Sequence, residues 1–370
     1  MFLAIRDLRF AKGRFALMAA VVALITFLLV MLSGLTAGLG NQSTSAVAGL
    51  PADQLVFGAP AGTPAKASFT ESEVTRDQLA AWAGRAGVSG VEALGISQVR
   101  AKASGSAGEP GGTANVAVFG SGNGLSADPP GGLLHGKPAD GTVVVGRALA
   151  GELHLSTGSS LVVGGIELAV AGIVPDQWYS HTGVVWTSLD DWRQLARAGN
   201  SSLGTVLAVT FDAGSQVDLA AANAEAGTVS ATREGSFQAL GSFRSENGSL
   251  MLMQAFLYGI SALVIVAFLT VWTVQRTRDI AVIKAMGGSP GYVLRDALVQ
   301  AVIVLAAGTA AGGGLGLIGG FLAAKAAPFL ITPATTLVPV AGVLFLGLAG
   351  AALAVRGVTR VDPLLALGGN

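Results

Sequence analysis

Hydrophobic positions along this chain fall into two regimes. Four stretches are apolar almost throughout, Phe15–Leu39, Leu250–Val274, Ala297–Ala323 and Leu337–Val355. Each has about the 20 residues that a helix needs to cross roughly 30 Å of hydrocarbon, so each is expected to span a bilayer. Asn247 to Gln275 runs for 29 residues without a charge, and Ala297 to Ala324 for 28. Between the first and second stretches, residues 40–249 change character. Short β-branched runs, Asn115–Phe119, Thr142–Val145, Leu161–Val163, Ile166–Val174 and Thr205–Phe211, alternate there with Gly, Ser and Pro clusters and predict strands. Thr70 and Glu73 have capping-box spacing, which predicts a helix from there to about Arg85. Residues 103–114 and 120–132 are Gly- and Ser-rich and read as loops. The fold class expected is a membrane α-helical protein, four transmembrane helices with a large mixed α/β extracytoplasmic domain between the first and second.

Composition agrees with the pattern. The 370 residues are 51% hydrophobic and 12% charged, too apolar for an ordinary soluble protein. Phe15 to Leu32 holds Thr26 as its single polar residue and exceeds the apolar core of a cleaved signal, so it is expected to stay as an anchor. Charge sets the orientation. Ten of the 22 Lys/Arg lie in three segments, before the first span, in 276–295, and at Arg356 and Arg360. These segments alternate as same-side segments do, which places them and both termini in the cytoplasm. Residues 40–249 carry 18 Asp/Glu against 11 Lys/Arg and are expected outside. Nothing in this balance points to nucleic acid. The expected divisions are residues 1–14 as an entry helix, 15–39, 250–274, 297–323 and 337–355 as spans, 40–249 as the outer domain, 275–296 as a cytoplasmic helix and loop, and 356–370 as a tail.

Catalytic motifs fail on inspection. Cysteine is absent, which excludes disulfides, thiolate metal sites and cysteine nucleophiles. GGLLHGK, 131–137, imitates a phosphate loop but is followed by Pro138 where a Ser or Thr must hold magnesium, and no strand precedes it. His135, His154 and His181 lack metal-like spacing, and no Ser sits in a nucleophile elbow. Asp190 and Asp191 are adjacent, diverge by about 100° on a helix, and read as a solvated face. Tyr179 and His181 beside Trp178 read either as ligand-flanking residues or as cover for a loop. The chain is expected to be a non-catalytic subunit with no metal and no cofactor of its own.

Two patterns remain. Gly308, Gly312, Gly316 and Gly320 recur every four residues and share one helix face, which admits close approach of another helix, within the chain or between copies. RTRDIAVIKAMGGSP, 276–290, inserts Arg276, Arg278, Asp279 and Lys284 between two apolar spans, with Ile280, Ile283 and Met286 on an apolar face ended by Gly287 and Gly288. A positive-inside anchor would explain the arginines but not that apolar face, which a partner's groove would cover.

That insert resembles the signature following the second helix of FtsX/MacB-like ABC transporter permeases. AIRDLRFAKGRFALMA, 4–19, resembles their entry helix, residues 143–174 their outer-domain stretch, and VTRVDPLLALGG, 358–369, their closing segment. The resemblance implies a homodimer in the cell membrane with two cytoplasmic ABC ATPase subunits. The partner ATPase binds ATP, and Arg276, Arg278, Asp279, Ile283 and Lys284 form the coupling helix it receives. Chain length and LPADQLVFG, 50–58, are similar to the haem-exporter permeases of that family, which implies haem as substrate. Met31, Met251 and Met253, with Glu246 and Tyr258, place thioethers, a carboxylate and a phenol at similar depth, and methionine and tyrosine both ligate haem iron. Methionine also fills gaps in apolar packing, which is the alternative role for these three. The competing function is an exporter or transmitter of mechanical work acting on peptides, lipids or an outer protein partner such as a cell-wall hydrolase.

Overall fold

The computed structural model describes residues 12–60, 62–104, 112–122, 138–197, 199, 202–275 and 290–358. The entry-helix residues 1–11, the phosphate-loop imitation at 131–137, the coupling segment 276–289 and the tail from 359 lie outside the described residues. The chain divides into two compact units, residues 1–39 with 247–370, and residues 40–246.

The first unit is helical. Its helices are α1 (Lys12–Ala48), of which residues up to 39 belong here, α6 (Gly241–Gln275) from residue 247, α7 (Pro290–Ala323) and α8 (Pro333–Val358). Among the described residues these are the four helices long and apolar enough to cross a membrane. Their core joins Met18, Val22, Ile25 and Leu29 of α1 to Ile265 of α6, Val304 and Leu305 of α7, and Val343 of α8. Hydroxyls in these spans satisfy themselves on the preceding turn, Thr26 Oγ1 donating to Val22 O at 2.8 Å and Thr309 Oγ1 to Leu305 O at 2.8 Å. Hydrocarbon offers a hydroxyl no other partner. Gln254 of α6 donates across to Thr36 Oγ1 of α1 at 3.1 Å. Coverage is uneven: 44% of the most apolar stretch of α7 is buried within the chain but 11% of that of α6. Leu252, Phe256, Ile260 and Leu263 of α6 are consequently exposed.

The second unit is mixed α/β. Its strands in chain order are β1 (Gln54–Phe57), β2 (Val74–Thr75), β3 (Val88–Ala103), β4 (Thr113–Ser121), β5 (Thr142–Gly146), β6 (Ser160–Val163), β7 (Ile166–Val174), β8 (Trp178–Tyr179), β9 (Thr182–Ser188), β10 (Ser202–Gly204), β11 (Val206–Phe211) and β12 (Val229–Thr232). Four short helices intervene, α2 (Arg76–Ala83), α3 (Arg147–Glu152), α4 (Leu189–Leu195) and α5 (Leu219–Ala226). The main sheet runs β12-β1-β11-β3-β4-β9-β5-β7-β6, and β6 pairs back onto β3, closing that end. β4 with β9 and β5 with β7 are parallel; the other pairs are antiparallel.

The apolar runs are continuous because both sheet faces are covered. In β5, Val143 and Val145 enter one core with Val116, Val118 and Val185, while Val144 enters another with Phe119 and Trp186. β3 is 16 residues long and serves three neighbours in succession: β11 through Val88–Leu94, β4 through Leu94–Lys102 and β6 through Ala101–Ala103. Two glycines make room for one tryptophan. A Cβ at Gly95 or Gly120 would collide with the Trp192 side chain of α4.

Two local expectations are corrected. The capping box is Thr75 with Gln78: Gln78 N donates to Thr75 Oγ1 at 3.3 Å and Thr75 N to Gln78 Oε1 at 3.0 Å. Thr70 and Glu73 precede β2, where Val74 and Thr75 pair with β10, so the chain is extended there and α2 starts at Arg76. Asp191 is not a solvated residue. It is 6% exposed and its Oδ2 accepts from Gly141 N at 2.8 Å and Thr187 Oγ1 at 3.2 Å, while Asp190 stays exposed.

Candidate functional site

Helices α1 and α6 each contribute residues to both units; within the outer unit Ala46, Val47 and Phe243 join its core, and one turn hydrogen-bonds the parts of both helices that it receives. Trp178 pairs with Gly183 and Tyr179 with Thr182, leaving Ser180 and His181 as a two-residue hairpin loop. Both central residues have positive φ, 46° and 63°, as the type I′ turn requires. Asn-Gly is the usual occupant; Ser-His in this region is strained, and strain of this kind persists only where surrounding contacts fix it.

Those contacts are to the two helices. Ser180 N donates to Ser43 O at 3.1 Å and His181 N to Gln42 O at 3.0 Å, both carbonyls of α1. Trp178 N donates to Ser45 Oγ at 2.8 Å. From α6, Ser242 Oγ donates to Ser180 Oγ at 3.3 Å. His181 Nε2 sits 2.9 Å and 3.1 Å from the two Glu246 carboxylate oxygens and 3.1 Å from Ser43 Oγ. A carboxylate only accepts, so Nε2 carries the proton and donates to Glu246. Below the turn, Tyr179 is buried edge-on between Phe69 and Phe119, with ring centroids 5.9 Å and 5.4 Å away. Burial pushes its hydroxyl well above the usual phenol range, so it stays neutral. The turn is thus a rigid clasp holding the last turns of α1 and the first of α6.

Of the five residues expected to bind haem, Glu246 belongs to the outer unit and the other four to the helical unit. A Cβ at Gly319 of α7 would lie 3.2 Å from the Met31 sulfur, so Met31 faces α7. Tyr258 lies against Gly342 of α8, 2.8 Å from a Cβ built there. Met251 and Met253 are 60% and 55% exposed on α6. Glu246 belongs to the clasp and is engaged by His181. Within the helical unit, therefore, Met31 and Tyr258 face different helices.

The glycine series lies against α1 for most of its length. A Cβ on Gly308 would come 2.8 Å from Ala19 O and Val22, one on Gly312 would strike Ala23 O, and one on Gly316 would come 2.7 Å from Val30. Gly320 instead receives the Phe329 ring, from the α7–α8 connection, at 2.7 Å. Phe329 also fills the space at Gly34 of α1, and Pro328 the space at Gly38. The α1 pair Gly34 and Gly38, spaced as Gly-x-x-x-Gly, escaped the sequence reading though its spacing was visible. The five coupling residues, Arg276 to Lys284, lie outside the described residues.

Four helices long and apolar enough to cross a membrane, with a large α/β domain inserted between the first and second, define a multi-pass membrane protein. A family model described as the MacB-like periplasmic core domain matches residues 15–229, and one described as the FtsX-like permease C-terminal matches 235–363. The chain belongs to the FtsX/MacB family of ABC transporter permeases. It is 25% identical over 201 residues to a Staphylococcus epidermidis protein named as a hemin transport system permease, HrtB, covering 54% of this chain and 55% of that one. A Staphylococcus haemolyticus protein of the same name is 31% identical over 130 residues, 35% of this chain and 37% of that one. This chain therefore matches about half the length, or less, of these relatives. An uncharacterized ABC transporter permease of Mycobacterium tuberculosis is 24% identical over 383 residues, all of this chain and 99% of that one. Among solved structures, the extracellular domain of the noncanonic ABC-type transporter YknZ from Gram-positive bacteria shares 13% identity at a TM-score of 0.33, over 49% of this chain and 98% of that one. The periplasmic region of MacB from Actinobacillus actinomycetemcomitans shares 9% at 0.36, over 51% and 92%.

Proposed function

We propose that this permease is the membrane subunit of an efflux transporter, worked as a homodimer by a separate cytoplasmic ATPase, and that it expels haem from the membrane. The observation that carries the mechanical part is the clasp. α1 and α6 are unbroken from apolar span to outer domain, and the Ser180–His181 turn grips both ends. A displacement of either helix by ATPase closure is passed to the outer domain as a push on a rigid hairpin. Arg276, Arg278, Asp279, Ile283 and Lys284 are the proposed contact with that ATPase, and both termini are proposed to be cytoplasmic on the distribution of Lys and Arg.

The cargo reading rests on the relatives named for hemin transport and on α6. Met251 and Met253 expose soft thioethers on the least covered helix, where lipid or a second copy has access, and methionine is a haem ligand. With Met31 and Tyr258 turned toward other helices, the site in this reading draws on exposed α6 faces rather than the interior of one chain. The test is a haem titration of the detergent-purified permease followed by visible absorption. A saturable, shifted Soret band lost in Met251→Ala or Met253→Ala supports it. A spectrum of detergent-dissolved haem alone overturns haem as cargo and leaves the permease class intact.

A further inference from the structure

We propose that Met251 is an oxidant-reactive site, a thioether that hydrogen peroxide converts to the sulfoxide, with the Asn247 amide placed beside it as the donor for the transferred oxygen. The inference does not rest on haem as cargo. Asn247 Nδ2 donates to Met251 Sδ at 3.6 Å, one turn away on α6. A helical side chain leans toward the N-terminal end of its helix, so Met251 keeps this neighbour in its preferred rotamers.

The contact gains by oxidation. A thioether is a weak acceptor, so an amide N–H aimed at it is poorly used. A sulfoxide oxygen is a strong acceptor, and oxidation turns a flexible apolar side chain into a polar one. At residue 251 that product finds its donor in place, whereas elsewhere on an apolar helix it would lie unpaired against hydrocarbon.

Exposure separates the methionines. Met18 is 4% exposed, in the core of the helical unit, and Met31 faces α7. Met251 and Met253 are 60% and 55% exposed, two residues apart on one helix. Met253 has no hydrogen bond to its sulfur among the described residues. It is therefore an internal control of nearly equal exposure that lacks the amide.

In the reaction a sulfur lone pair attacks one peroxide oxygen. The O–O bond breaks as the S–O bond forms, the proton of the attacked oxygen passes to the departing hydroxide, and water leaves. Sulfur loses two electrons and the peroxide gains them. Negative charge gathers on the departing oxygen, and the Asn247 N–H, already at the sulfur, is a donor to it. The product changes the surface that α6 presents to lipid or to a second copy, since only 11% of its most apolar stretch is covered within the chain.

Timed treatment of the detergent-purified full chain with hydrogen peroxide, read by peptide mass spectrometry, tests this. Met251 is expected to gain oxygen about two- to tenfold faster than Met253, the rate equivalent of one ordinary hydrogen bond. Asn247→Leu and Asn247→Asp, the second keeping the side chain's shape without its N–H, are expected to bring Met251 down to the Met253 rate. Equal rates for the two methionines in the unaltered chain overturn the proposal, and so does a Met251 preference that survives either substitution.

Discussion

His181 Nε2 lies 2.9 Å from Glu246 Oε2, joining the tip of a β-hairpin to the first turns of α6 across 65 residues of chain. Both side chains are partly exposed, at 31% and 41%. Exposed ion pairs contribute about 0.2–1 kcal/mol, so its stabilisation is small. Its value lies in position. Glu246→Gln is expected to lower the Tm of the purified permease by no more than roughly 2–4 °C, the shift for about 1 kcal/mol in a domain of this size. Transport driven by the partner ATPase is expected to fall further, because a grip on α6 is lost. Unchanged transport in vesicles reconstituted with the ATPase would show that the clasp carries no work.

His181→Gly and His181→Ala separate the side chain from the backbone strain. Both delete the pair, but glycine adopts a φ of 63° without penalty and alanine does not. The glycine variant is expected to be the more stable by about 1 kcal/mol, the cost of a left-handed residue. Thermal unfolding of the two in the same detergent checks this.

Close packing of α7 on α1 predicts a graded response to side-chain addition. Gly312→Leu drives a side chain into Ala23 O and Thr26 and is expected to cost about 1–3 kcal/mol or to abolish assembly. Gly314→Leu, which meets nothing within 4 Å, is expected to be neutral. Monodispersity and Tm in detergent distinguish them.

The corrected cap gives a paired test in the outer domain. Thr75→Ala removes the acceptor of Gln78 N and is expected to cost about 1 kcal/mol, the usual loss of an N-cap, whereas Thr70→Ala changes little. Asp191→Ala strands Gly141 N, while Thr187 Oγ1 keeps Thr142 O at 3.0 Å, and is expected to cost about 1–3 kcal/mol, whereas Asp190→Ala stays within about 0.5 kcal/mol. Calorimetry of the full chain in detergent ranks the four.

Ile283→Asp places a carboxylate on the face proposed above to dock on the ATPase. It is expected to leave Tm unchanged and to uncouple ATP hydrolysis from transport in the reconstituted complex. Undiminished transport would refute docking of that face in a groove.

Some of the molecule was legible because its signal is local. An apolar run long enough to cross hydrocarbon is a span whatever surrounds it, and β5 and β7 were visible because consecutive Val and Ile fit a strand covered on both faces. β3 was missed because VSGVEALGISQVRAKA changes neighbours along its length, so no single alternation runs through it. The cap was misplaced by five residues because Thr70–Glu73 and Thr75–Gln78 both have cap-compatible spacing, and pairing of β2 with β10 decides between them.

By itself the sequence determined the membrane class, the insertion of an α/β domain after the first span and the glycine face of α7, since each depends on composition or on helical period within one segment. Tertiary structure alone decided that the glycines meet α1, that Asp191 is buried, and that Ser180 and His181 grip α1 and α6. These relations join residues far apart in the chain. Their energies depend on which surfaces the closed sheet and packed helices bring within a few ångströms, and no local pattern encodes that.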